Sequence, residues 1–263
     1  MTTRRFEGRV AVLIGAATGI GAATARRLAA EGAAVTIGDI NDAGAQATAA
    51  AIESAGGRAS AVHCDFGDGD SIAALMQASI RHFGRIDALV NVALANDPGD
   101  TDVLSLDPAL FDRYMQTNLK GYLMGCRLAL PHLLERGGAI VQVSSLAAQY
   151  GGAMAQMPLY AMFKAGVDAL TRHIAARYGK RGVRCNSVAP GLTMTELIRA
   201  TYEQVPNIDR MLDQVPRPRF AEPEEMAGTI AFLLSADAGA INGLVITADG
   251  GQSAVMFPEP AQD

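Results

Sequence analysis

The chain has 263 residues, 49% of them hydrophobic, with no Pro/Ser-rich linker or charge block, so a single domain over 1–263 with one large core is expected. A formal net charge of −5 with scattered arginines argues against a nucleic-acid surface, and no apolar stretch reaches the about 18 residues of a membrane helix. Arg4 and Arg5 are followed by the acid Glu7 and a short apolar run, so no signal peptide is expected, and Cys64, Cys126 and Cys185, odd in number and far apart, read as buried thiols of a cytoplasmic protein.

The first element is the apolar run Val10–Ile14, which has the composition of a strand buried on both faces. Gly15, Gly19 and Gly21 follow directly and lead into a helix expected near 19–31. Strand, glycine turn and helix in this order make a dinucleotide-binding start, because glycines let the backbone approach a pyrophosphate that sits at the helix N-terminus. The second strand, 34–38, ends in Asp39, eighteen residues after Gly21, where an acid binds the adenosine ribose hydroxyls. Its carboxylate would repel a 2′-phosphate, and Ala16, Ala17 and Thr18 offer no cation to compensate. NAD (NADH in the reductive direction) is therefore expected rather than NADP.

Further helices are expected near 42–55, 68–83, 107–135, 158–178 and 223–235, with strands near 59–64, 88–90, 139–144, 184–188 and 244–248. This alternation predicts an α/β fold of the doubly wound Rossmann type, a seven-stranded parallel sheet with helices on both faces. The fifth strand runs into Ser144 and Ser145. Tyr160 and Lys164 then stand one helical turn apart, so that an ammonium can sit beside a phenol and stabilise its phenolate. A tyrosine of ordinary pKa near ~10 could then act as a base close to neutral pH. His63, His82, His132 and His173 have no ligand partners at i+3 or i+4, so no metal site is expected.

Taken together, these features resemble the short-chain dehydrogenase/reductase family over nearly the whole chain. Further matches are Asp65 after the third strand, Asn91 at the end of the fourth, Asn118 in Asn118-Leu119-Lys120-Gly121, Pro190-Gly191 with Thr195, and Ala248-Asp249-Gly250-Gly251. The resemblance implies hydride transfer between NAD(H) and a secondary alcohol or ketone, a small and apolar substrate. Tyr160 is then the general base or acid, Lys164 the group that lowers its pKa and holds the nicotinamide ribose, Ser145 the holder of the substrate oxygen, and Asn118 a residue that interrupts its helix and holds a relay water. Cofactor contacts fall on Gly15, Thr18, Gly19, Ile20, Gly21, Asp39, Asp65, Phe66, Asn91, Tyr160, Lys164, Pro190, Gly191, Thr193 and Thr195. A substrate lid near 195–221 and a homotetramer built on the helices near 107–135 and 158–178 and on the C-terminal region are also implied. Two other readings stay open: a 3-oxoacyl-thioester reductase of the same family, and a catalytically silent dinucleotide-binding sensor or scaffold.

The chain departs from the family pattern in places. Tyr160 lies fifteen residues after Ser145 where the family has thirteen, so the loop between Ala147 and Pro158 carries two extra residues. Ser145 is preferred to Ser144 because it ends the strand, while Ala147, at the family spacing, has no hydroxyl. Ala153, Met154, Met157 and Pro158 are expected to form an apolar wall. Ile14 replaces a family threonine and Val92 an asparagine; they are expected to be a compensated pair in apolar contact across the strands. Leu94 replaces a glycine close to the cofactor. In the lid, Leu197, Ile198, Tyr202, Val205, Met211 and Leu212 fit a short helix pair, and Arg199, Arg210, Arg217 and Arg219 are expected on a solvated face.

Overall fold

A computed structural model describes residues 4–151, 157–201, 212, 213 and 215–255. Seven strands, β1 (Val10–Ile14), β2 (Ala34–Asp39), β3 (Arg58–His63), β4 (Ala88–Asn91), β5 (Gly138–Val143), β6 (Val183–Pro190) and β7 (Val245–Ala248), form one sheet in the order β3-β2-β1-β4-β5-β6-β7. All six pairings are parallel. The winding direction reverses between β1 and β4, and such a switch point opens a crevice at the C-terminal strand ends.

Helices α1 (Gly19–Ala30) and α2 (Asp42–Ser54) cover one face, with a C-terminal helix over Pro223–Leu234; α3 (Gly69–Phe83), α5 (Lys120–Arg136) and α6 (Pro158–Tyr178) cover the other. The short α4 (Pro108–Tyr114) precedes α5, and α7 (Glu196–Thr201) follows β6, so the Pro223–Leu234 helix is α8. Strand residues alternate between the two layers: Ala11 and Leu13 enter the α1 side, Val12 and Ile14 the α3 side. Continuous apolar strands are what burial on both faces demands.

The helix expected over 107–135 is in fact three segments, because Met115–Leu119 winds as a π-helical turn between α4 and α5. The strand expected over 184–188 continues to Pro190, which lies opposite Ala248. Of the 195–221 segment expected to form a lid, α7 lies among the described residues; Tyr202, Val205, Arg210 and Met211 lie outside them, as do Ala153 and Met154. The two ends of that segment are joined by Ala221 N–H to Leu192 O and Met194 N–H to Ala221 O, both 2.8 Å.

Ile14 and Val92 are not the apolar pair expected from the sequence. Ile14 belongs to the α3 side of the sheet and Val92 packs on the α1 side. Their link is through the backbone, with the amides of Val92 and Ala93 donating to Ile14 O at 2.9 and 3.0 Å. On the Ile14 side, the Oδ1 of Asn91 is buried without a hydrogen-bond partner.

Candidate active site

A cleft of about 890 Å³ runs along the C-terminal strand ends. At one end Asp39 closes β2, its Oδ2 accepting from Ala17 N–H and its Oδ1 from Asn41 N–H, both at 2.9 Å. These bonds fix the carboxylate beside the glycine turn while Asp39 still borders the cleft. Gly15 has φ +87°, and a Cβ there would stand 2.4 Å from Ala93 N, so only glycine lets the chain after β4 pass. A Cβ on Gly21 would stand 2.0 Å from Gly15 O, which makes its role the packing of α1 under the turn. Thr18 does not cap the first turn of α1 with its side chain, leaving the start of that helix suited to an anion. This cradle, the acid beside it and the cleft volume fit a dinucleotide.

At the other end, β5 delivers Ser144 and Ser145, and a single 3₁₀ turn over Leu146–Ala148 follows, with Ser145 Oγ accepting from Ala147 N–H at 3.2 Å. Tyr160 lies in the first turn of α6. Burial pushes its phenol up from 10, and the nearby Ser145 side chain pulls the other way. The direction is opposite to the expectation from Lys164, because the lysine does not turn its head to the phenol. Its Nζ donates to Val143 O at 2.6 Å and to Tyr122 Oη at 3.0 Å. Burial brings the Lys164 ammonium down to about 7, with Asp168, four residues on, opposing the shift.

Of the residues expected at the site, Gly15, Thr18, Gly19, Ile20, Asp39, Asp65, Phe66, Ser145, Tyr160, Lys164, Pro190, Gly191, Thr193 and Thr195 border this one cleft. Gly21, Asn91 and Asn118 do not border it. Asn91 turns toward α5, where its Nδ2 donates to Gln142 Oε1 at 2.7 Å and stands 3.6 Å from Cys126 Sγ. Asn118 sits in the π-helical turn and grips Ala95 twice, accepting from its N–H at 2.9 Å and donating to its carbonyl at 3.0 Å. It therefore clamps the segment carrying Leu94, whose side chain borders the cleft.

Two residues behind the cleft lining, Tyr122 and Asp100, are not singled out by the sequence. Tyr122, the partner of Lys164, stands one turn after Asn118, a spacing that could have signalled it. Asp100 receives the N–H groups of Leu159 at 2.9 Å and Tyr160 at 2.8 Å from a loop far along the chain, and nothing local foretells that. Arg217 and Arg219 both pair with Glu225 and lie outside the cleft lining. Among the described residues no His/Cys/Asp/Glu cluster could hold a metal ion, and no helix is long and apolar enough to cross a membrane.

Known proteins share this arrangement over most of its length. Residues 15–253 match the family model described as enoyl-(acyl carrier protein) reductase. A probable short-chain type dehydrogenase/reductase of Bradyrhizobium diazoefficiens is 45% identical over 253 residues, covering 95% of this chain and 89% of the relative. The cis-4-hydroxycyclohexanecarboxylate dehydrogenase of Sinomonas cyclohexanicum is 43% identical over 251 residues, covering 95% and 98%. The crystal structure of levodione reductase superposes with a TM-score of 0.89 at 34% identity, covering 95% of this chain and all of the other. With its seven-stranded parallel sheet, its glycine turn and relatives named as dehydrogenases and reductases, the chain belongs to the short-chain dehydrogenase/reductase family of oxidoreductases.

Proposed function

We propose that the protein interconverts neutral, apolar secondary alcohols and ketones using NAD(H), with Tyr160 as the proton-transfer group. The observation that carries this reading is that Ser145, Tyr160 and Lys164 all border one cleft, with Lys164 one turn of α6 beyond Tyr160. Removing hydride from a carbinol carbon requires the hydroxyl proton to leave, so a base must touch the oxygen. Ser145 and Tyr160 together hold that oxygen, and Ser145 stabilises charge growing on it. In the reductive direction Tyr160 returns the proton. NAD, when bound, supplies the hydride acceptor.

Asp39, Asp65 and the start of α1 hold the adenosine and diphosphate end, while Lys164, Pro190, Gly191, Thr193 and Thr195 hold the nicotinamide end. Lys164 is the only basic residue among the described residues lining the cleft, so nothing there offsets the repulsion between Asp39 and a 2′-phosphate. The same lack of cations, with Leu94, Leu146, Tyr150, Leu192 and Leu197 around the reacting end, favours an uncharged apolar substrate over an anionic one. A relative named for cis-4-hydroxycyclohexanecarboxylate supports a cyclic alcohol or ketone, and since that substrate is an anion, carboxylated rings belong in the test beside neutral ones. Three free, buried cysteines support a reducing compartment such as the cytoplasm.

The test is a panel of cyclic and acyclic alcohols and ketones, neutral and carboxylated, with thioester ketones included, assayed with NAD, NADP and their reduced forms. A clear preference for NAD and for neutral substrates is expected, and Asp39→Ala should narrow the NAD preference. Tyr160→Phe should lower turnover by about 10²–10⁴-fold with NAD binding retained. Because burial raises the Tyr160 phenol, oxidation should quicken as pH rises above neutrality, while reduction should stay level until the phenol itself titrates. Equal use of NAD and NADP, or undiminished turnover in Tyr160→Phe, would overturn the reading.

A further inference from the structure

Behind the cleft, three groups close a triangle. Tyr122 Oη donates to Val143 O at 2.9 Å, and Lys164 Nζ donates both to that carbonyl at 2.6 Å and to Tyr122 Oη at 3.0 Å. A phenol has one proton, and Tyr122 commits it to Val143 O. It therefore meets the lysine with a lone pair, and the direction of all three bonds is fixed.

The residues around the triangle hold it rigidly. Tyr122 is 0% exposed, its ring edge-on to Phe66 at 5.4 Å and tilted against Phe163 at 6.2 Å. The ammonium stands 4.8 Å from the Phe163 ring centre, 5.0 Å from that of Tyr122 and 5.8 Å from that of Tyr160. It is a cation in a cage of three aromatic rings. The π-helical turn at Met115–Leu119 sets the phase of α5, so the segment that lets Asn118 grip Ala95 also aims Tyr122, one turn later, at Lys164.

We infer that Tyr122 is a positioning residue for Lys164, docking its ammonium at the end of β5 between two phenols of which only Tyr160 reaches the cleft. The inference rests on the proposed role of Lys164. The titratable groups facing the lysine are Tyr160 and Asp168 from α6 and Tyr122 from α5, with Cys126 a turn beyond Tyr122. Full burial pushes the Tyr122 phenol well above 10, so it accepts from the ammonium without titrating in its place. This leaves proton transfer to Tyr160. Without the Tyr122 oxygen, Lys164 would keep Val143 O alone and surrender its proton at lower pH.

Lys120, Lys164 and Lys180 are the chain's only lysines, so lysine side chains labelled with ¹³C at Cε give three resonances, of which one should titrate near neutrality. In Tyr122→Phe, which keeps the packed ring, that midpoint should fall by about half a unit or more. KM for NAD should rise, and the acid limb of the oxidation profile should move to higher pH. In the unmodified protein the Tyr122 hydroxyl proton should exchange slowly and show a nuclear Overhauser effect to the Lys164 side chain, a measurement independent of how the variant folds. An unchanged lysine titration in folded Tyr122→Phe, or a Tyr122 hydroxyl in fast exchange, would overturn the inference. Both readouts need no turnover, so an absence of alcohol oxidation in the unmodified protein would count against the proposed function while these measurements still decide the role of Tyr122.

Discussion

Lys164 shows what a functional charge costs a fold. It is 2% exposed, with no carboxylate in direct contact, and burial has brought it down to about 7 from 10.5. The folded protein thus holds this proton more weakly than the unfolded chain does. Stability therefore rises with pH between about 7 and 10.5, and the burial penalty is felt in full below that window. Lys164→Met, similar in length and uncharged, should accordingly raise stability near pH 7 by about 1–3 kcal/mol, with the advantage shrinking as pH approaches 10.5. Thermal melts at several pH values check this, and kinetics on the same variant should show slower oxidation and weaker NAD binding. A variant less stable than its parent near pH 7 would mean that the triangle with Tyr122 and Val143 outweighs desolvation. The pairing of Tyr160 and Lys164 was legible because helical spacing alone puts them together. The direction of the Tyr160 shift was not, since it depends on where the ammonium hydrogen-bonds once buried. Asn91 lies off the cleft for a related reason: its amide finds Gln142 on the neighbouring strand, a choice that register makes and local sequence does not.

At the scale of elements, the start of α6 decides where Tyr160 stands. Met157 precedes the helix without a side-chain cap, and Pro158 opens it. The next two N–H groups go to the buried carboxylate of Asp100, which supplies from a distant loop what a local cap would give. A negative charge there also complements the helix dipole. Asp100→Ala should lower stability by about 1–2 kcal/mol and reduce kcat more than it raises KM for NAD, because the turn holding Tyr160 loses its anchor while the nucleotide cradle is untouched. Asp100→Asn keeps acceptor capacity and should recover part of the loss. Calorimetry with steady-state kinetics checks both, and a KM effect without a kcat effect would remove Asp100 from the positioning of Tyr160. Most elements were legible because apolar runs, glycine turns and caps mark them: the 107–135 stretch was seen as helix and the alternation as a parallel sheet. The interruption at Asn118 was implied by the family resemblance alone; its form, a π-helical turn over Met115–Leu119 in which Asn118 grips Ala95, depends on a loop distant in sequence. Asp100 was invisible for a similar reason. It sits among Asp97, Pro98 and Gly99, which read as turn, and its partners lie about sixty residues away.

At the scale of the whole molecule, the strand order brings a glycine turn from one end of the chain and Tyr160 from the middle to the same crevice, and the remaining question is what covers the outer helices. On the sheet face built by α3, α5 and α6, Leu123 is 49%, Met162 54% and Phe111 39% exposed, on α5, α6 and α4 in turn. Met115, Leu119, Leu123 and Leu170 line an apolar groove there, with Asp112, Arg113, Gln116 and Lys120 at its edge. An apolar centre with a charged rim has the anatomy of a protein interface rather than of a solvated helix face. Two-fold pairing would set α5 and α6 of one copy against the same helices of another, burying each exposed side chain twice for one symmetric contact. The homotetramer implied by the family resemblance is thus the expected state, with a mass near four chains of 27.4 kDa in sedimentation or light scattering. Leu123→Asp places a charge at the centre of that face while leaving the cleft and both core layers unaltered. It should yield smaller species at micromolar concentration with secondary structure retained. A parent protein that runs as a monomer would leave the apolar face without this partner, and a Leu123→Asp variant of undiminished mass would move the interface elsewhere on the surface.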